Sequence, residues 1–126
     1  MRIINVTSRQ LASTFTASIV AATTLAELQQ IDREIGRRGA QGLFLFGVES
    51  KLDQLLWEKE RAIEMDILSG IEARINTRYQ GTNNLFNDIE MLVSLMNKYT
   101  FGFSAMTDKI RLVDEKMNRY LTRMAD

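Results

Sequence analysis

The sequence predicts an all-α protein, an elongated helical hairpin or bundle of three long helical segments within one domain spanning residues 1–126. Two observations carry this prediction: the 126 residues include no proline, and the last third keeps a regular heptad of apolar residues. Proline is a strong helix breaker, so its absence permits long helices. Strands would require an alternation of period two, and none of useful length occurs. The predicted segments are 8–35, 43–78 and 84–124.

The first segment, residues 8–35, carries apolar side chains on one side and alanine, serine and threonine between them. The apolar positions are Leu11, Phe15, Ile19, Leu25, Leu28, Ile31 and Ile35. Serine and threonine hydroxyls compete for backbone hydrogen bonds, so the first half is a weak helix by itself. We expect it to become ordered when it packs. Three glycines in residues 36–42 then predict the end of the helix, where Arg37 and Arg38 offset its dipole.

Four consecutive large apolar residues, Leu43, Phe44, Leu45 and Phe46, follow between two glycines. On a helix they would point in several directions, so they cannot all face one core. Either the turn is buried at the end of a bundle or part of it contacts another subunit. We predict a secondary contact surface here, together with Phe101, which lies beside the apolar row of the third segment.

The middle segment, residues 43–78, repeats apolar residues at intervals of four. Ile63, Ile67, Ile71, Ile75 and Tyr79 form a stripe that winds around the helix and can therefore touch two neighbours. Gly70 lies within this helix, which permits either a close backbone approach or a bend. The residues 80–84 that follow predict a turn with an N-cap between Thr82 and Asn84.

The third segment, residues 84–124, carries the most regular pattern of the chain. Apolar residues alternate at spacings of four and three over more than five heptads, which is typical of coiled-coil packing. This predicted interaction seam comprises Leu85, Ile89, Leu92, Met96, Tyr99, Phe103, Met106, Ile110, Val113, Met117, Tyr120 and Met124. Gly102 within the segment indicates a kink or a close approach. Methionine and tyrosine at the seam suit irregular or non-identical neighbours. The seam is either the core of a monomeric bundle or a contact between subunits.

Charged residues border the second half of the seam. Lys109, Lys116 and Arg123 follow one edge, and we expect them to meet acidic groups of the middle segment. The available carboxylates are Glu58, Glu60, Glu64, Asp66 and Glu72. Exposed pairs of this kind set register more than they stabilise.

The composition argues against catalysis and against several kinds of ligand. The sequence has no cysteine and no histidine, and 16 basic residues balance 16 acidic ones. Cysteine nucleophiles and imidazole or thiolate metal sites are therefore excluded, and no carboxylates have the spacing of a calcium loop. We predict no enzyme activity, cofactor or metal. Zero net charge argues against nucleic-acid binding. The longest uncharged stretch, residues 10–26, carries six serines and threonines, which argues against a membrane span.

The overall plan is similar to that of small secreted helical proteins, namely the needle, rod and filament subunits of type III secretion and the hairpin proteins of type VII secretion. The shared features are a start rich in serine and threonine without a signal peptide, no cysteine, and a long C-terminal helix with a regular apolar seam. The resemblance covers architecture and composition, since Trp57-Glu58-Lys59 is not the Trp-x-Gly turn of the type VII hairpins.

These patterns predict a non-enzymatic, self-assembling structural subunit that acts through helix–helix packing, as in a filament, tube or secretion apparatus. The expected partner is a second copy of the chain or another helical subunit. The alternative is a helical adaptor or chaperone that binds a client helix on the methionine-rich seam. The compartment stays open between the cytoplasm and export without a cleavable signal.

Overall fold

A computed structural model describes residues 2–100 and 104–125 of the chain. Every regular element in these ranges is an α-helix, which confirms the all-α prediction. The helices are α1 (Arg2–Ala21), α2 (Leu25–Ala40), α3 (Val48–Thr77), α4 (Thr82–Lys98) and α5 (Ala105–Ala125). The middle predicted segment corresponds to α3. The three-segment arrangement is not confirmed, because the first and third segments each divide into two helices.

The first segment divides because a capping motif begins a new helix at Leu25. Thr24 adopts an extended backbone, and its hydroxyl accepts a hydrogen bond from the backbone N–H of Glu27. The Glu27 carboxylate in turn accepts from the hydroxyls of Thr23 and Thr24 at 3.2 Å each. A threonine followed three residues later by a glutamate is the capping box, which marks the N-terminus of a helix. The predicted continuous helix over 8–35 is therefore corrected to α1 and α2.

The end of α2 lies five residues beyond the predicted end. Gly36 and the two arginines are helical, and the helix stops at Gln41 and Gly42. Gly42 has φ +71, and its N–H donates to the carbonyl of Gly39 at 3.0 Å, while Leu43 donates to Arg38 at 3.2 Å. This pair of bonds is a Schellman motif, which requires the left-handed backbone that glycine adopts most easily.

The third segment divides between Lys98 and Ala105. Tyr99 caps α4 with a non-helical backbone, and Thr100 donates its hydroxyl to the carbonyl of Asn97 at 2.7 Å. Ser104 accepts a hydrogen bond from the N–H of Thr107 at 3.2 Å and so starts α5. Threonine, glycine and serine are weak helix formers that favour such caps. A single heptad helix over 84–124 is therefore corrected to two helices.

The predicted turn at residues 80–84 is confirmed for residues 80 and 81 alone, because α4 already begins at Thr82 and its N-cap lies one residue earlier than expected. Gly81 is the N-cap of α4 and contributes no side-chain hydrogen bond. Arg78 precedes this turn in a left-handed conformation with φ 70, as the one non-glycine residue with positive φ in the described part of the chain.

Contacts group the chain into two compact units, residues 1–63 and 64–126. Each has its own apolar core, and the prediction of one domain stays a prediction. In the first unit α1 packs against α2, and the buried apolar side chains are Phe15, Ile19, Ala22, Leu28, Ile35, Leu52, Leu56 and Ile63. In the second unit α4 packs against α5, and the core comprises Leu68, Ile71, Ile75, Leu85, Leu92, Leu95, Met106, Ile110, Val113 and Met117.

Candidate functional site

The α5 half of the predicted seam lies in the core of the second unit. Met106, Ile110, Val113 and Met117 are buried there, and Tyr120 packs against them. Met124, the last seam residue, is exposed. This half of the seam therefore packs against helices of the same chain. Phe103 and Phe101 lie outside the described residues.

The α4 half of the seam is rotated relative to the prediction. The face that α4 buries consists of Leu85, Asp88, Leu92 and Leu95. Of the seam residues, Leu85 and Leu92 are on this face, whereas Ile89 is half-buried and Met96 is exposed. The buried row has Asp88 and Leu95 where the predicted seam has Ile89 and Met96. A shift of one residue corresponds to about 100° around the helix axis. Tyr99, half-buried, follows at the C-cap of α4.

A second apolar row borders the buried face of α4. Phe86 is 60% exposed, Val93 49% and Met96 38%, and half-buried Ile89 lies between the first two. Their spacing of three, four and three residues is itself that of a coiled-coil seam. We call Phe86, Ile89, Val93 and Met96 the α4 stripe. The predicted seam of α4 is therefore divided between the buried row, which holds Leu85 and Leu92, and this second row, which holds Ile89 and Met96.

The turn after α2 divides its four apolar residues between the interior and the surface. Leu43 and Phe44 are half-buried, and the Phe44 ring lies 6.1 Å from that of Phe15. Leu45 and Phe46 are exposed, Phe46 completely. The Leu45 N–H donates to the buried hydroxyl of Ser8 at 3.0 Å, which holds the turn in place. Leu45 and Phe46 therefore face outward, and the secondary contact stays a prediction.

Two of the predicted edge charges bind one carboxylate. Lys109 donates to Glu72 Oε1 at 3.0 Å and Lys116 to Oε2 at 2.7 Å. The hydrogen bonds from the two lysines lower the pKa of Glu72, and the one from Lys116 has the larger effect. The expected pairing with the middle segment is confirmed for these lysines. Arg123, exposed at the end of α5, lines a cavity instead.

A buried carboxylate joins α3 to the end of α4. Glu64 is fully buried and accepts hydrogen bonds from Lys98 Nζ at 2.7 Å and from the Tyr99 hydroxyl. Burial lowers the pKa of Lys98. Burying a charge is costly unless it is paired and hydrogen-bonded, so this cluster fixes how α3 meets α4. Glu64 was among the expected acidic partners, but its partners here are Lys98 and Tyr99.

A second polar cluster joins the same two helices and was not predicted. Arg74 donates to Asp88 from Nε at 2.6 Å and from Nη2 at 3.0 Å, and the Tyr79 hydroxyl donates to Asp88 at 2.6 Å. Burial raises the pKa of Tyr79, and the hydrogen bond to Asp88 raises it further by a smaller amount. The Tyr79 N–H donates to the Tyr120 hydroxyl at 3.2 Å. The sequence signal for this cluster was the spacing of Asp88, three residues after Leu85 and four before Leu92, which places it on their face of the helix.

A cavity of about 600 Å³ lies between the end of α3 and the end of α5. Its lining residues are Ile75, Asn76, Arg78, Lys116, Arg119, Tyr120, Arg123 and Met124. Four of these are cationic, whereas the described lining contains no acidic side chain. Ile75 is buried and forms an apolar part of the wall.

Within the described residues, no group of three or more histidine, cysteine, aspartate or glutamate side chains could hold a metal ion. In the same part of the chain, no helix combines the length with the apolar character that a membrane span requires.

Comparisons with known proteins found no matching family model, no matching curated protein and no matching solved structure.

Proposed function

We propose that this chain is a non-enzymatic structural subunit that assembles with copies of itself through helix–helix packing, as in a filament, tube or secretion-apparatus-like assembly. The observation that supports the proposal best is the α4 stripe. Exposed apolar rows at heptad spacing are the surfaces by which helices associate. The α4 stripe borders the buried face of the same helix, and half-buried Ile89 packs against the core, while Phe86 and Val93 are exposed and open to a neighbour.

A second copy of the chain suits the α4 stripe because its surroundings carry little charge. The exposed polar residues on α4 are mainly uncharged, namely Thr82, Asn83, Asn84, Asn87, Ser94 and Asn97. Glu90 is the exposed acid of this helix, and Lys98 is paired with Glu64. Like charges placed opposite each other would oppose the pairing of identical surfaces. Near-neutral borders allow a stripe to face its own copy around a twofold axis or a copy in another register.

Exposed Leu45 and Phe46 offer the secondary contact. Gly47 next to them has φ +86, a left-handed conformation that glycine adopts most easily. Two separate apolar surfaces on one chain permit an open assembly, because each copy can then use different patches toward different neighbours.

Light scattering coupled to size-exclusion chromatography over a concentration range tests the proposal. We expect the mass to rise with concentration, and negative-stain micrographs to show a regular polymer. A protein that stays monomeric at the highest concentration overturns the proposal.

A matched pair of variants tests the α4 stripe. The double variant Phe86→Ser and Val93→Ser should remove assembly, since it deletes the two most exposed stripe residues. The control, Val20→Ser with Leu112→Ser, removes two exposed apolar residues on α1 and α5 and should assemble normally. Circular dichroism verifies that both variants keep their helices. Loss of assembly in the control alone contradicts the role of the stripe.

A helical adaptor or chaperone is the second candidate. The α5 seam residues are buried against the chain's own helices, so a client helix would use the α4 stripe instead, where Phe86 and Met96 offer adaptable side chains. This candidate predicts a small discrete oligomer that co-purifies with a client. A regular polymer in micrographs of the purified protein favours the structural subunit.

A further inference from the structure

The cavity between the ends of α3 and α5 concentrates positive charge in a chain with no net charge. Arg78, Lys116, Arg119 and Arg123 converge on it, among 16 basic residues balanced by 16 acidic ones. Among the described residues, nearby carboxylates neutralise only part of this charge. Glu72 is shared between Lys109 and Lys116, and Glu115 lies 3.6 Å from Arg119 as a largely exposed pair. The cavity therefore attracts anions.

The backbone of Arg78 is the second unusual feature of this cavity. Its φ of 70 lies in the left-handed region, where an L-amino acid with a side chain costs about 1–2 kcal/mol relative to the right-handed region. Glycine is the residue that normally occupies such a position after a helix. A long cationic side chain stands there instead and lines the cavity. Strained backbone of this kind concentrates at ligand-binding positions.

The remaining wall offers one oriented hydroxyl and an apolar surface. Tyr120 accepts the N–H of Tyr79, which leaves the phenolic proton able to donate to a bound anion. Ile75 and Met124 present apolar atoms to the same space. A volume of about 600 Å³ lies within the range of small-molecule sites, which is about 300–1,000 Å³.

We propose that this cavity binds a phosphate group carried on an apolar body. Guanidinium groups match phosphate oxygens with paired hydrogen bonds, so Arg78, Arg119 and Arg123 would hold the phosphate. Tyr120, Ile75 and Met124 would contact the apolar body. The site and the α4 stripe share no residue, and the proposal stands independently of self-assembly.

Isothermal titration calorimetry at low salt with the full chain tests the site. The probes are inorganic phosphate and phenyl phosphate, which share the phosphate and differ in the apolar body. We expect phenyl phosphate to bind at least about tenfold more tightly, because burying a phenyl ring against Ile75 and Met124 adds the free energy of several apolar contacts. Equal affinities overturn the apolar part of the site.

Arginine variants locate the binding. Arg123→Gln should weaken phenyl phosphate binding about tenfold through the loss of charged hydrogen bonds. Arg111→Gln is the matched control, since Arg111 is exposed on the same helix but outside the cavity; it should leave affinity unchanged. An equal loss in both variants indicates general attraction of anions and overturns the site.

Arg78→Gly separates a binding role from a structural one. Glycine relieves the left-handed strain, so the thermal midpoint of the ligand-free variant should be unchanged or higher, while phenyl phosphate binding falls about tenfold. A lower midpoint with unchanged binding assigns Arg78 to stability and overturns its place in the site.

Vesicle sedimentation distinguishes a lipid phosphate from a soluble one. Phosphatidylcholine vesicles containing phosphatidic acid are compared with phosphatidylcholine alone. Retention that depends on phosphatidic acid and is lost in Arg123→Gln supports the site with a lipid as its ligand, whereas phenyl phosphate binding without retention supports it with a soluble ligand. Failure of both phenyl phosphate and acidic vesicles to bind overturns the proposal.

Discussion

The guanidinium of Arg74 on α3 donates two hydrogen bonds, of 2.6 Å and 3.0 Å, to the carboxylate of Asp88 on α4. Asp88 is nearly buried, while Arg74 keeps 45% of its side chain exposed. The Tyr79 hydroxyl donates to the same carboxylate. A charge on the buried face of α4 thereby has the partners that its burial requires, and it fixes one position of α4 against α3.

Removal of this carboxylate should destabilise the protein. Asp88→Ala leaves Arg74 and Tyr79 without their acceptor, and we expect the free energy of unfolding to fall by about 2 kcal/mol. Water can still hydrate half-exposed Arg74, which keeps the loss below that of a fully buried pair. Urea denaturation at neutral pH measures it. Glu90→Ala, an exposed acid on the same helix, is the control; equal losses in the two variants would contradict a special role for Asp88.

Glu64 should be the most sensitive carboxylate of the second unit. Glu64→Ala removes a fully buried acceptor of Lys98 and Tyr99, and we expect a loss of about 3 kcal/mol in the free energy of unfolding. Asp66→Ala, two residues later and exposed, should change it by less than about 0.5 kcal/mol. Urea denaturation of both variants compares the two losses. A small loss in Glu64→Ala would show that its cluster is dispensable for stability.

Stability should fall in acid partly through Glu72. Hydrogen bonds from Lys116 and Lys109 lower the pKa of Glu72 below its ordinary value of 4.5. A carboxyl with a lower pKa in the folded state contributes stability above its unfolded pKa, and this contribution is lost as the pH falls through the folded pKa. Unfolding between pH 7 and pH 3 should therefore show a decline below about pH 4.5 that is smaller in Glu72→Gln. Glu115→Gln, an exposed acid, should retain the full decline.

Two glycines around the end of α2 should respond in opposite directions. Gly36 lies within the helix with open space beside it, so Gly36→Ala should stabilise by about 0.5–1 kcal/mol. Gly42 has φ +71, and Gly42→Ala should destabilise by about 1–2 kcal/mol because the new side chain strains the left-handed backbone. Thermal unfolding of the two variants provides the comparison. Midpoints that shift in the same direction would contradict the Schellman cap.

Long-range periodicity predicted the helices better than it predicted their ends. The helix breaks at Thr24 and Ser104 depend on single hydroxyls that accept one backbone N–H each. Threonine with glutamate three residues later was a readable signal for the first break. The second break was hidden by a heptad that continues through it, so the apolar spacing indicated one helix where Thr100, Gly102 and Ser104 favour an interruption.

The buried row of α5 coincides with the predicted seam, whereas the buried row of α4 is displaced from it. In α5 the predicted row from Met106 to Met117 is the buried row. In α4 two rows of equal spacing compete, one through Ile89 and Met96 and the other through Asp88 and Leu95. Polarity favours the first row, but Arg74 neutralises Asp88 and Tyr79 donates a hydrogen bond to it, so the second row can be buried. These partners lie 14 and 9 residues away, beyond what spacing within one helix can indicate.

The composition alone permitted long helices, since proline is absent, and excluded sites that depend on cysteine or histidine. Both conclusions depend only on which residues are present. Local spacing added which stretches are amphipathic, since a helix repeats every 3.6 residues wherever it occurs. The outward direction of Phe86 and Val93 and the convergence of Arg78, Arg119 and Arg123 required the packed chain. Each depends on which face of a helix its neighbours cover, and that choice follows from contacts between residues far apart in the sequence.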